Sequence, residues 1–383
     1  MRFSKLAKVA SIALAFGLVA TTPAYAVNLE GSGASFPDFL IQGCKAPFNA
    51  ATGHTYTYNP AGSGTGRSNS DKEIGDFWMT DAPHVGSTRR ASLVHIPVVM
   101  APIGILHNVP GSKPLQLSAP TIAGIFSGKI TMWNDPAIVA DNNRTLNVVK
   151  YKKNADGTLK KDSKGDLEVQ STKPVKRNYV LPAKKINVIY RLDSSGTTEN
   201  FTDYLNKTAP TVWTSAKKAV FSQSFTAGEL TAPGNIGRIV AADKSAGVSL
   251  LAGKTPYSIT YVEPSYAKAN KLKVAEIINN AGTAVVADAV GVSAFMAEAK
   301  QDANGYLTFD YATKAPGAYP LGITSYLLAD TASKDKTKAA AVAELAKFWM
   351  SPKCAKDVAE VFGFAVIDGD FLKKSLAQVA KIG

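Results

Sequence analysis

Residues 186–205 read INVIYRLDSSGTTENFTDYL, and this stretch holds both halves of an α/β unit. INVIYR (186–191) is a short apolar run with β-branched residues, which suits a strand buried on both faces. ENFTDYL (199–205) places Phe201, Tyr204 and Leu205 on one side of a helix. Between them, Arg191 is followed by Asp193, two serines, a glycine and two threonines. A helix start offers unpaired backbone N–H groups and the positive end of its dipole, and small residues let an anion come close. Taken singly, such a turn is an ordinary cap, since Ser and Thr are favoured at helix starts. Arg191 has two roles open to it: a partner for Asp193, or a planar fork gripping an oxyanion. The two are compatible.

The same alternation of strands and helices continues in both directions, which predicts an α/β fold. PDFLIQGCKAPFNAATG (37–53) reads as one helix, with Pro37 in its first turn and Gly53 at its end. TYTYNPAG (55–62) alternates as a strand, IPVVMAPIGILHN (96–108) reads as a long buried strand, and 118–133 carries helical spacing. GITSYLLAD (322–330) is another strand, and two helices follow it. The segment 150–170 has two Asp/Gly turn signals and reads as an exposed hairpin or loop.

The chain has 383 residues, of which the first 26 read as an export signal. Arg2, Lys5 and Lys8 precede the apolar run SIALAFGLVA, and Ala-Tyr-Ala ends a cleavage site after Ala26. The remainder is too long for one core and suits two domains. The formal net charge is +13, and the signal removes three cations and no acids. Eleven Lys/Arg against four acids between Lys150 and Lys185 supply most of what is left. Such a segment is a solvated surface excursion. With only Tyr151 and Tyr179 available for stacking, nucleic acid is not expected as a partner. Two cysteines, Cys44 and Cys354, can pair in an exported chain, but the sequence does not show that they meet. The four histidines are scattered and no CxxC spacing occurs, so no metal or cofactor is expected.

Three Gly- and hydroxyl-rich turns stand at strand–helix junctions: GSGASFP (31–37), AGSGTG (61–66) and DSSGTT (193–198). Together they point to a shared anion site. Asp81, followed by Ala-Pro, reads on its own as a turn former. The ordered set GSGASFPDFL (31–40), YNPAGSGTG (58–66), DFWMTDAP (76–83), YRLDSSGTTENFTDYL (190–205) and YSITYVEPSYA (257–267) resembles the periplasmic phosphate-binding protein of Pst-type ABC importers. The resemblance covers nearly all of the chain beyond the signal, though the basic segment 148–185 matches nothing in the family pattern and reads as an insertion.

The resemblance implies a type II periplasmic-binding-protein fold, two α/β domains joined by two crossover strands near 100–108 and 321–329. It divides the chain into domain I (27–104 plus 323–383) and domain II (105–322). It places phosphate ligands on Ser35, Phe36 (through its backbone N–H), Ser63 and Asp81, and on Arg191, Ser195, Gly196 and Thr197. Asp193 would hold Arg191 in place. Ser35 stands where the family often has threonine, and Ser194 where glycine is common; Arg67 is a further departure, expected at the surface. The resemblance gives Asp81 a purpose. Hydrogen phosphate can donate a proton to a buried carboxylate and sulfate at neutral pH cannot, so a carboxylate rejects sulfate.

The expected function is therefore binding of inorganic phosphate in the periplasm by a monomer, and delivery to the membrane permease of an ABC importer. A secreted or surface-interaction protein would keep the same site. A phosphatase would need an activated nucleophile or metals, and neither GxSxG nor a carboxylate–histidine cluster occurs.

Overall fold

The computed structural model describes residues 26–111, 113–163, 167–225 and 228–383. The export signal thus lies outside the described residues, apart from Ala26. Two five-stranded sheets organise the chain. The first runs Thr55–Asn59, Asn28–Gly33, Phe77–Thr80, Gly322–Asp330, Leu93–Pro102 across its width. Its first three strands are parallel and the last two antiparallel to their neighbours. The second runs Ile239–Ala242, Asn187–Arg191, Ser258–Val262, Gly104–His107, Lys273–Val274, again with three parallel strands first. Phe77–Thr80, Leu93–Pro102 and Gly322–Asp330 of the first sheet and Gly104–His107 and Ser258–Val262 of the second are almost wholly buried, whereas the edge strand Thr55–Asn59 alternates.

The chain crosses between the sheets twice, side by side. The predicted strand 96–108 is divided at Ile103, so Leu93–Pro102 belongs to the first sheet and Gly104–His107 to the second. Both halves are apolar, so hydrophobicity does not mark the division, although Pro102 and Gly104 flank it. Ile103 N–H donates to Leu321 O at 2.8 Å, and the Tyr319 hydroxyl donates to Ile103 O at 2.7 Å. Residues 300–307 then lean back on the first sheet: Leu307 N–H donates to the Tyr326 hydroxyl at 2.9 Å, and Tyr306 packs edge-on against His95.

The helix expected over 37–53 is two helices, Asp38–Gly43 and Lys45–Thr52. Pro47 cannot donate to the carbonyl four residues back, so the helix restarts at Lys45, which leaves Pro47 in a first turn where no donor is needed. Gly53 ends it with φ +75°, as expected. The helix at 118–133 is shorter than predicted, Ala119–Phe126, stopped by Gly128 at φ +77°. The basic segment forms a hairpin, Thr145–Tyr151 against Val169–Lys176, with its second strand exposed on both faces. Glu168 there pairs with Lys152 and Lys160.

Cys44, at the joint of the two N-terminal helices, is bonded to Cys354, with Cα atoms 5.6 Å apart and a sequence separation of 310. Both side chains are buried. Closing so long a loop restricts the unfolded chain strongly. The double variant C44A/C354A is expected to lose about 2–5 kcal/mol of stability in denaturant titration.

Candidate functional site

Each sheet has three parallel strands; Ser35, Ser63 and Asp81 follow those of the first, and Arg191 and Ser245 lie at or just after the ends of two of the second. Ligands in open α/β sheets collect at such carboxyl ends. From Asn28–Gly33 the chain turns through Gly33 at φ +138°, where a side chain would strike the Met79 carbonyl. It then presents Ser35 and Phe36, both buried. Ser63 opens the helix Ser63–Asp71, and Asp81 follows the strand Phe77–Thr80. From the second sheet, Arg191 ends one strand, and the helix Gly196–Thr208 starts five residues later. Ser195 caps that helix, its hydroxyl accepting from Thr198 N–H at 3.2 Å.

Asp81 is 2% exposed and sits among hydroxyl donors. Ser325 donates to its Oδ1 at 2.6 Å, while Thr197 and Ser63 donate to Oδ2 at 3.2 and 3.4 Å. Thr197 comes from the other sheet, so the carboxylate already bridges the gap. A carboxylate offers about four acceptor positions, so these three bonds leave roughly one for a ligand's proton. Burial pushes the Asp81 carboxyl up to about 6, against the lowering effect of the Ser325 bond and the Arg191 charge.

Arg191 is 1% exposed. Its Nε and Nη2 donate to the two oxygens of Asp193 at 2.7 and 2.5 Å, and Nη1 donates to Ser245 Oγ at 3.3 Å. Of the five N–H groups of a guanidinium, about two remain. Burial works against the charge, but the Asp193 bond and charge outweigh it and hold Arg191 above its ordinary range. Burial likewise raises Asp193, and the Arg191 bond and charge more than reverse it, leaving its carboxyl low. The Lys244 N–H adds a bond to Asp193 Oδ1 at 3.1 Å. The expected clamp between Arg191 and Asp193 is therefore present. Ser35 joins the same chain of contacts: its hydroxyl donates to Ser245 Oγ at 3.1 Å and accepts from Ser245 N–H at 3.2 Å.

The structure brings several of the sequence-predicted positions together in two clusters, with Ser195 capping the helix beside them and Phe36 next to Ser35. One is Ser63, Asp81 and Thr197; the other is Ser35, Ser245, Arg191 and Asp193. Gly196 lies against both Ser63 and Asp81, where an added Cβ would sit 2.8 Å from Ser63 Oγ and from Asp81 Cβ. Phe36 places its ring edge-on to Phe364, which fixes its backbone rather than offering a polar side chain.

Sequence reasoning missed four participants. Ser245 stands at a fourth strand–serine–helix junction, ADKSAG (242–247), and that signature could have found it. Ser325 lies at a register shift in the strand Gly322–Asp330, and no sequence pattern announces such a bulge. Tyr261 ties Arg191 to the helix start, accepting from Arg191 N–H at 3.3 Å and sharing a 2.7 Å bond with the Thr198 hydroxyl. Asn200 donates to Asp81 O at 2.7 Å. Arg67, expected at the surface, is instead half of an ion pair with Glu199.

A cleft of about 350 Å³ lies elsewhere, against Trp78, Arg90 and Lys338. It lacks the convergence of strand ends, so chemistry rather than volume selects the site.

The comparisons with known proteins agree with this geometry. A family model described as PBP superfamily domain matches residues 19–353. The phosphate-binding protein PstS of Xylella fastidiosa is 30% identical over 331 residues, 84% of this chain and 77% of that protein. The chain belongs to the PstS family of phosphate-binding proteins. PstS3 of Mycobacterium bovis is 31% identical over 291 residues, 72% of this chain, and the match spans 66% of that relative's own length, just under two thirds. PstS-family chains are binding proteins, not enzymes. The phosphate-binding protein of Stenotrophomonas maltophilia superposes with TM-score 0.61 at 20% identity, covering 92% of this chain and 93% of that one. A high-affinity periplasmic phosphate-binding protein solved with phosphate bound superposes with TM-score 0.63 at 21% identity, covering 93% and 92%. These likenesses establish the type II periplasmic-binding-protein fold for this PstS-family chain.

Proposed function

We propose that this chain binds inorganic phosphate between its two sheets and delivers it to the membrane permease of an ABC-type phosphate importer. It acts as a monomer in the periplasm after loss of the segment 1–26. Domain I is 27–104 with 323–383 and domain II is 105–322, closing on the anion as lobes. Ser35, Phe36, Ser63, Asp81, Arg191, Ser195, Gly196 and Thr197 are the ligand set, the N–H groups of Gly196 and Thr197 being those a helix start leaves free.

The observation that carries this reading is the opposition of Arg191 and Asp81. A fully buried cation with donors to spare faces, across a few hydroxyls, a buried carboxylate with an acceptor to spare. A protonated oxyanion satisfies both, accepting from Arg191 and donating to Asp81. Calorimetric titration of ligand-stripped protein is expected to show phosphate affinity of about −8 kcal/mol or more favourable, with sulfate ignored. Equal binding of both anions would sink the reading.

Gly196 supplies a second check. Its Cα packs so closely on Ser63 and Asp81 that Gly196→Ala is expected to keep the lobes apart. Phosphate affinity should fall roughly a hundredfold, while a clash confined to the closed form leaves ligand-free melting within a few degrees.

The hairpin of the basic segment, exposed on both faces of its second strand, would be the contact surface if the protein also served an extracellular interaction role. Deleting it should leave phosphate titration unchanged.

A further inference from the structure

Arg67 belongs to the helix Ser63–Asp71 of the first sheet, and Glu199 to the helix Gly196–Thr208 of the second. Their side chains meet across the gap, Arg67 Nη2 donating to Glu199 Oε2 at 2.9 Å, with only 18% and 14% of each side chain exposed. On its own side Arg67 brackets Asp81. Its Nε donates to Thr80 Oγ1 at 3.0 Å and its Nη2 to Ala82 O at 3.2 Å, the residues immediately before and after that carboxylate. On the other side, Glu199 stands three residues beyond Gly196, on the helix turn that contacts Asp81.

We infer that Arg67 and Glu199 form a latch that holds the two lobes closed over bound phosphate and fixes the Thr80–Asp81–Ala82 turn in the same act. This rests on the phosphate-binding reading and adds two positioning residues that touch no ligand. The physical case begins with burial, which makes a charge-assisted pair stronger than an exposed one. The latch must also be able to open, and the surrounding contacts permit it. Arg67 keeps its bonds to Thr80 and Ala82, which belong to its own lobe. Glu199 keeps Lys217, whose Nζ is 3.6 Å from Oε1 and whose side chain is 56% exposed. Neither charge is left bare and buried when the lobes part, so opening avoids the heavy penalty of an unpaired ion. Other contacts share the crossing: Asn200 to Asp81 O at 2.7 Å, Gly64 N–H to Ser194 O at 3.0 Å, Thr197 to Asp81 Oδ2 at 3.2 Å, and the bonds between Ser35 and Ser245. The charged pair is mostly buried, so salt weakens it only modestly.

A latch made only after closure slows departure and leaves arrival unaffected. The test is association and dissociation of inorganic phosphate with the full chain, followed by rapid filtration of radiolabelled phosphate at low and high ionic strength. Arg67→Gln and Glu199→Gln are each expected to speed dissociation roughly tenfold with association within about twofold. The double variant R67Q/E199Q should be no worse than either single, because both remove one interaction. Wild-type dissociation should quicken modestly with salt while that of E199Q does not. Melting of the ligand-free single variants should stay near wild type, which separates a latch from a purely structural pair. Unchanged dissociation in both single variants, or additive losses in the double, would overturn the latch. Failure of the wild type to bind phosphate would overturn the binding reading beneath it, and that failure shows before any substitution is made.

Discussion

Arg191→Ala is expected to weaken phosphate binding by roughly a hundredfold to a few thousandfold, the scale of breaking a buried ion pair at about 3–5 kcal/mol. The effect has two sources, which a second variant separates. Removing the guanidinium takes away the cation that faces the ligand. It also strands Asp193, which is mostly buried and takes two bonds from Arg191. Ligand-free R191A should therefore also melt lower than wild type. Arg191→Met with Asp193→Asn removes both charges at once and is expected to recover most of the melting temperature, since an apolar or neutral replacement of a buried pair is often tolerated. It should recover none of the phosphate affinity. Calorimetry and melting on the two variants make the comparison. Retained affinity in R191A would remove Arg191 from the site.

Asp81→Asn is expected to do the reverse to stability and to change which anion binds. Burial holds the Asp81 carboxyl up to about 6, above its ordinary 3.8. Its folded form thus takes up a proton more readily than the unfolded chain. That contribution is fully present below about pH 4 and is lost as pH rises towards 6, by up to about 3 kcal/mol for a two-unit shift. Asparagine cannot ionise, so ligand-free D81N should melt above wild type at pH 7 and lose that advantage below pH 4. Phosphate affinity should fall roughly tenfold to a hundredfold, the worth of a hydrogen bond to a charged group. Sulfate should gain, because an amide offers it a donor where the carboxylate offered only acceptors. A variant that still rejects sulfate at pH 7 would show that selectivity lies elsewhere.

Much of the fold was legible because its strands are buried on both faces and its helices carry apolar stripes. INVIYR, GITSYLLAD and the C-terminal helix Lys336–Trp349 lie where their patterns put them. The patterns were silent wherever two elements share one apolar run. IPVVMAPIGILHN contains the passage from one sheet to the other, and its hydrophobicity is continuous through Ile103. The helix break before Pro47 was available in the sequence and was outweighed by the apolar stripe around it. The disulfide was undecidable from the chain alone, since nothing local relates Cys44 to Cys354.

The residue types of the site belong to the sequence. Strand–turn–helix junctions rich in Gly, Ser and Thr, with one arginine and a nearby aspartate, determine that the chain can hold an anion, because local backbone geometry makes a helix start a donor. Only the tertiary structure decided what surrounds those groups, on which the proposed selectivity and retention rest. Asp81 acquires its raised proton affinity from burial, which outweighs the lowering bonds from Ser325 and Thr197; these and Ser63 lie 244, 116 and 18 residues away in sequence. Ser325 reaches it through a bulge, and Arg67 meets Glu199 only because two helices from different sheets face each other. Such relations depend on distance in space, and one-dimensional spacing does not encode them. Desolvation and long-range pairing, on which the proposed selectivity and closure depend, arise when the sheets come together.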